Sequence, residues 1–372
     1  MRSYIFIIIS KLILLQFSNY SFAQAMEHTN TLEKQNISIT KEQVNLVKAY
    51  CTEFPNNTQL SIGFIKNGEV QFYGVKRSND SLSSIVNHQN VFEIGSITKV
   101  FTATLLANFV VNDQLSLNDS ALDSSAYKLA TDTNISWLHL ANHTAGLPRL
   151  PSNLNLLTIN ANNPYKNYGE KELTEYLSVK IALEQKPGEK YGYSNLGAGV
   201  LGYLLSKQYN STYINLLNKH IFSKYGMLNS TANQSKLLQP LIVGLDALGK
   251  PTSNWDMNAL QGAGAILSTV EDLSKFALAH FDTTDKALAL TRQSTFAINE
   301  NMDIGLAWHI LKNQDNSTWY WHNGGTGGYT SSIAIDTATK NGIVILSNVS
   351  AFHAKMGNID LLCFALMKTL NY

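Results

Sequence analysis

A chain of 372 residues with 28 Lys plus Arg against 27 Asp plus Glu carries a formal charge of +1, and 44% of it is hydrophobic. That length buries a large core in one or two domains. The near-neutral balance, with no run of Lys or Arg and no basic stripe laced with aromatics, excludes nucleic acid as a partner. Two cysteines are too few for a disulfide-built scaffold and lack metal-ligand spacing, so no metal and no cofactor is expected.

In chain order, Arg2, the mostly apolar stretch from Tyr4 to Phe17 and then Ser21-Phe22-Ala23 predict a secretory leader over residues 1–23, cleaved after Ala23. Lys11 leaves that stretch too short and too charged for a membrane-spanning helix of about 20 residues. The mature chain is expected to be exported, to the periplasm or the medium, without stable membrane insertion. Thr40 with Gln43 forms a capping box for a first helix. Cys51 lies on its apolar stripe with Val44, Val47 and Phe54, and Cys363 lies on a second stripe with Met356, Ile359, Leu366 and Leu370. Export permits a disulfide between them if the two terminal helices lie side by side. Two buried free thiols are the alternative, and the spacing does not choose.

Residues 60–65 and 70–75 are β-rich runs separated by Lys66-Asn67-Gly68-Glu69, a hairpin signal. From Lys99 to about Phe276 helical periodicity dominates, with helices predicted over 100–111, 172–183, 196–208 and 270–280. Residues 318–321, 331–336 and 343–347 read as strands, the last two joined through Lys340-Asn341-Gly342. Strands from both ends around a helical middle predict an α+β fold: one antiparallel sheet from the two ends, flanked by terminal helices and carrying a helical region. With no Pro/Gly/Ser linker, residues 24–372 form one catalytic unit, its sheet part over about 40–95 and 280–372 and its helical region over about 96–279. A monomer is expected.

Three motifs carry chemistry. Ser96-Ile97-Thr98-Lys99 opens a helix, where residues three apart share a face, so Lys99 reaches the Ser96 hydroxyl and first-turn N–H groups favour developing negative charge. Lys99 serves as a base only if desolvation or a neighbouring cation lowers its pKa. Tyr193-Ser194-Asn195 precedes another helix. If Lys99 stays charged it holds Tyr193 partly as phenolate, a carrier for the Ser96 proton, while Asn195 offers an amide to a substrate carbonyl and to Lys99. His322-Asn323-Gly324-Gly325 follows an aromatic strand, and its glycines permit close approach of a ligand to a backbone N–H. Histidines 28, 88, 139, 220, 280, 309 and 353 show no paired metal spacing and are expected on the surface or in the core. His143 is expected to shape the site wall. Gly244 to Lys250 matches Gly-x-x-x-x-Gly-Lys but is followed by Pro251, so no Gly-x-x-x-x-Gly-Lys-Ser/Thr occurs, and no Gly-x-Ser-x-Gly occurs.

The order Ser-x-x-Lys, Tyr-x-Asn and strand-end x-x-Gly resembles the class C β-lactamases and related penicillin-binding proteins. Leu140-Ala141-Asn142-His143-Thr144-Ala145-Gly146-Leu147-Pro148, the segment 262–269 and Gly305-Leu306-Ala307-Trp308 look like further landmarks of that family. The resemblance implies a β-lactamase/transpeptidase-like fold and an acyl-enzyme on Ser96, formed from a β-lactam or an acyl-D-alanyl peptide and hydrolysed by water. It assigns catalysis to Ser96, Lys99 and Tyr193, and substrate or oxyanion contacts to Asn195, His322, Gly324 and Gly325. The substrates it implies are a small-molecule β-lactam, which leads, then a D-alanyl-D-alanine peptide or a small ester. A penicillin sensor that is acylated without turnover is the non-enzyme alternative. The third motif departs from the usual Lys-Thr-Gly, and Asn348-Val349-Ser350-Ala351-Phe352-His353 replaces an Asn-Pro segment. Because a histidine titrates near neutrality, activity on anionic substrates is expected to fall between pH 6 and 8 as His322 loses its proton.

Overall fold

Two residues in left-handed backbone, Asn67 (φ 53°) and Gly68 (φ 82°), reverse the chain between β1 (Gln59–Lys66) and β2 (Glu69–Ser78). Positive φ at both central residues matches the twist of the flanking strands, and the register pairs Lys66 with Glu69. The computed structural model describes residues 39–79, 81–122, 134–154, 160 and 162–371, so the leader expected over residues 1–23 lies outside the described residues. Beyond β2 come β3 (Ser81–Ile85) and two short strands paired with each other, β4 (Phe92–Glu93) and β5 (Leu267–Ser268). The late strands are β6 (Phe296–Asn299), β7 (Met302–Ile304), β8 (His309–Lys312), β9 (Thr318–Gly325), β10 (Thr330–Asp336) and β11 (Asn341–Ser347). A nine-stranded sheet runs β3-β2-β1-β11-β10-β9-β8-β7-β6, antiparallel throughout. The two ends of the chain meet where β1 pairs with β11, from Leu60↔Ser347 to Ile65↔Gly342.

Side chains alternate across these strands, and the two faces enter separate cores. Leu60, Ile62, Ile343 and Ile345 face α1 (Lys41–Cys51) and the C-terminal helix Asn358–Lys368. Ile65, Ile333, Ile335, Val344 and Leu346 face the larger core around α2 (Thr98–Val111). The capping box of α1 forms as expected: Gln43 N donates to Thr40 Oγ1 at 3.2 Å and Thr40 N to Gln43 Oε1 at 3.0 Å. α2 is buried on every side from Thr98 to Phe109, as a helix apolar all round must be. Beside it lie α3 (Asn195–Gln208), α4 (Gln261–Gly264) and α5 (Val270–Ala279). Phe101 of α2 stacks on Phe276 of α5 at 4.3 Å between ring centroids.

Two expectations are corrected and one open choice, that of the cysteines, is decided. The helix predicted over 172–183 ends at Glu175 and passes through a π turn, Tyr176–Lys180. The chain beyond is drawn away by backbone bonds to the 143–146 segment, Glu184 N to Gly146 O and Gly188 N to Thr144 O, both 2.8 Å. Asn341 and Gly342 lie inside β11, paired with Asp336 and Ile335, and the turn is made by residues 337–340. Cys51 and Cys363 are free, buried thiols. The terminal helices do lie side by side, with Asn358 Nδ2 donating to Tyr50 O at 3.0 Å. The Cys363 thiol points instead at the sheet, toward Ile343 O at 3.9 Å.

Candidate active site

Close backbone contact builds the turn that carries Ser96. Gly95 (φ +51°) begins a 3₁₀ turn, Gly95–Ile97, that runs into α2. A Cβ on Gly95 would lie 2.5 Å from Gly325 N, and one on Gly324 would lie 2.0 Å from Ile94 O. Only glycine lets these two backbones touch. Ser331 Oγ seals the junction by donating to Ile94 O at 2.8 Å. The nucleophile candidate from the early chain is thereby held against the strand end from the late chain.

Lys99 lies in the first turn of α2 and is 2% exposed. Its Nζ lies 2.8 Å from Ser96 Oγ and donates to Ala263 O at 2.7 Å. Burial holds its pKa well below the ordinary lysine value, and the Arg149 charge pushes the same way. A neutral amine that gives one N–H to Ala263 keeps a lone pair for the Ser96 proton. Tyr193 lies between these two side chains, its ring centroid 5.0 Å from Lys99 Nζ and 5.2 Å from the Arg149 guanidinium. Burial pushes its phenol up to about 12, against a smaller lowering by its hydrogen bond with Ser96. Of the two arrangements left open, burial favours the neutral amine with a protonated phenol over a charged lysine holding a phenolate.

The 142–149 segment grips the second motif. Gly192 N bonds His143 O at 2.8 Å and Asn195 N bonds Arg149 O at 3.0 Å. Ser194 N donates to His143 Nδ1 at 3.3 Å, and Ser194 Oγ donates to Pro148 O at 2.7 Å while capping α3 through Gly197 N. The expected wall role of His143 fits this geometry, its ring 4.6 Å from Tyr193. The Asn195 side chain bonds Tyr165, where Lys99 was expected.

His322 corrects another expectation. It is 0% exposed, behind Tyr193 at 6.4 Å between rings, and its Nδ1–H donates to Asn323 O at 2.6 Å. Burial, the neighbouring His309 and Lys99 hold its pKa well below the ordinary histidine value. It is neutral across pH 6 to 8, so the expected loss of charge in that window does not arise. It also stands away from the cavity wall, which takes Asn323, Gly324 and Gly325 from the same motif.

A profile of the Beta-lactamase family matches residues 53–361. A β-lactamase of Psychrobacter immobilis is 26% identical over 366 residues, covering 88% of this chain and 86% of that protein. Among solved structures, a β-lactamase/D-alanine carboxypeptidase from Pseudomonas syringae superposes with a TM-score of 0.71 at 22% identity, covering 88% of this chain and 98% of the other. An octameric penicillin-binding protein homologue from Pyrococcus abyssi gives 0.69 at 22% identity, over 92% and 77%. The chain belongs to the Beta-lactamase family. It has the β-lactamase/transpeptidase-like fold expected from its motifs, and it is a serine hydrolase.

The cavity of this β-lactamase-family hydrolase, about 540 Å³, opens over Ser96 and contains residues that motif reading missed. Tyr165, Trp255, Trp321 and Phe352 make its wall aromatic, and Arg149 is the one Lys or Arg on it among the described residues. Glu93 fixes Trp255 by accepting its backbone N–H at 2.8 Å. His309, expected as filler, lines the cavity and pairs through Nε2 with Tyr191 OH at 2.9 Å. Burial lowers it to about 4. Its signal is invisible in one dimension, since Tyr191 lies 118 residues away. Arg149 directly follows the Leu140–Pro148 landmark, and a cation after that segment was the available clue.

Proposed function

We propose that this chain hydrolyses a β-lactam amide through an acyl-enzyme on Ser96, as a class C-like β-lactamase. The observation that carries the reading is Lys99 Nζ at 2.8 Å from Ser96 Oγ, in a buried site that disfavours the charged amine. Lys99 takes the Ser96 proton as Oγ attacks the carbonyl, help typically worth about 10² to 10⁴ in rate. The N–H groups of Ser96 and Gly325 receive the negative charge on the carbonyl oxygen, where one donor is worth about 2.7 to 4 kcal/mol. The lactam C–N bond then breaks, and Tyr193, protonated up to about 12, gives its proton to the departing nitrogen and regains one from Lys99. Water hydrolyses the acyl-Ser96 ester by the same groups in reverse. The β-lactamase name of the Psychrobacter relative supports the substrate, and the reading includes export of a monomer after cleavage at Ala23.

A second reading, hydrolysis of a small ester or a D-alanyl peptide, is supported by the neutral His322 in place of the usual charged lysine and by the aromatic wall. Incubating the purified chain and its Ser96→Ala variant with a chromogenic cephalosporin, a labelled penicillin, a D-Ala-D-Ala peptide and a p-nitrophenyl ester separates these readings. Cephalosporin turnover lost in Ser96→Ala is the expected result. A stable penicillin adduct without turnover identifies a sensor, and full activity in Ser96→Ala overturns the mechanism.

A further inference from the structure

Burial disfavours the positive charge on both Lys99 and His322. Arg149 remains. A guanidinium stays charged at every physiological pH. It stands at the cavity with its carbon 5.2 Å from the Tyr193 ring centroid. That placement sets the charge over the ring face, and among the described residues no hydrogen bond takes up its N–H donors. Its backbone is fixed, because Arg149 O accepts from both Asn195 N and Leu196 N, at 3.0 and 3.2 Å.

Arg149 is exposed, at the open side of the cavity. Its field reaches Lys99, His143, Tyr165, Tyr191 and Tyr193. Burial disfavours the charged form of each of these. No carboxylate pairs with Arg149 among the described residues, and no Asp or Glu lines the cavity. The charge therefore lacks a counterion among the described residues, at the rim of a cavity whose aromatic and thioether wall is broken by the polar but uncharged Ser96, Asn195 and Asn323.

We infer that Arg149 is the specificity-determining residue for an anionic substrate, binding a carboxylate on the acyl compound through its guanidinium edge while the aromatic wall takes the apolar part. The inference rests on Ser96 as the nucleophile and names the substrate class within that reading: amphipathic acyl compounds with one carboxylate. Arg149 also adds to the lowering of Lys99, so a change in overall rate does not test it. The selectivity ratio does.

The experiment uses the full chain and a matched pair of p-nitrophenyl esters, one of glutarate with its second carboxyl free and one with that carboxyl methylated. Wild type is expected to favour the free acid in kcat/KM. Arg149→Gln lowers the ratio of anionic to neutral kcat/KM about tenfold or more, chiefly through KM, the size expected for a lost charge-assisted hydrogen bond. Arg149→Lys retains part of the preference, as a point charge without the planar fork. Raising salt from low to high shrinks the wild-type preference and leaves that of Arg149→Gln in place. Mass spectrometry of the acylated chain locates the adduct in parallel. An adduct absent from Ser96 overturns the nucleophile reading and this inference with it. An adduct on Ser96 with a ratio unchanged in Arg149→Gln overturns the anchor alone.

Discussion

On one face of the sheet, α1 and the C-terminal helix bury Cys51 and Cys363; on the other, α2 buries Lys99. Desolvation acts on both faces in the same sense, against the charged form. It pushes the Cys51 thiol up to about 12 and raises Cys363 as well, and it pulls Lys99 down. The chemical results are opposite. A thiol gains nucleophilicity only as thiolate, so burial silences the cysteines. An amine accepts a proton only when neutral, so burial arms the lysine. The second ingredient is an outlet: Ser96 Oγ lies 2.8 Å from Lys99 Nζ and opens to a cavity, whereas Cys363 Sγ is enclosed against the Ile343 carbonyl and the Ser332 hydroxyl.

The comparison breaks most visibly at Lys99. Lys99→Met keeps the stem and removes the lone pair, so hydrolysis of a chromogenic ester is expected to fall about 10² to 10⁴-fold with an unchanged circular dichroism spectrum. A rate within a few-fold of wild type contradicts the neutral amine as base. The pH dependence sharpens the point. A base must be deprotonated, so kcat/KM declines as pH falls through the Lys99 pKa, which lies far to the acid side of about 10.4. Tyr193, protonated up to about 12, adds no decline on the alkaline side below that value, and His322 adds no step between pH 6 and 8. An activity limb near pH 10.4 would place Lys99 in a wet site.

Next in size is the junction between the two halves of the site. Gly324→Ala puts a methyl 2.0 Å from Ile94 O, and the separation it forces is expected to cost about 1–3 kcal/mol, as overpacking does. The midpoint of urea denaturation reports the cost, and a lowered kcat reports the misaligned Gly325 N–H. A variant with wild-type stability and rate would mean that the two backbones are not in register. The smallest effect belongs to the silent face: native Cys51 and Cys363 resist iodoacetamide under conditions that label both in urea. Mass spectrometry of the non-reduced chain is expected to count two free thiols. Rapid labelling of the folded chain would deny the shared desolvation.

What was legible beforehand follows from the range of each interaction. The Asn67-Gly68 turn, the Thr40–Gln43 box and the Ser96–Lys99 spacing are local, and each stands where reading the chain placed it. β3 and β6 to β8 escaped, since three to five residues, such as Met302–Ile304, hold too little alternation to separate from a loop. The motifs named the groups around Ser96 but not their protonation. His322 reads as a titrating residue until the chain encloses it, and Tyr193 reads as a phenolate until Lys99 is seen to be dry. His309 acquires meaning only from a neighbour distant in the chain, Tyr191.

The bond between Ser331 and Ile94 spans 237 residues, and the sheet closes only when Leu60 finds Ser347. Contacts of that separation form at a large entropic cost in loop closure and come late when a chain acquires structure. An emerging or partly collapsed chain therefore has Ser96 and Lys99 on one nascent helix but lacks Gly325 beside them. Catalytic competence arrives with the last long-range pairing, which makes the return of hydrolysis after dilution from denaturant a clock for completion of the whole fold.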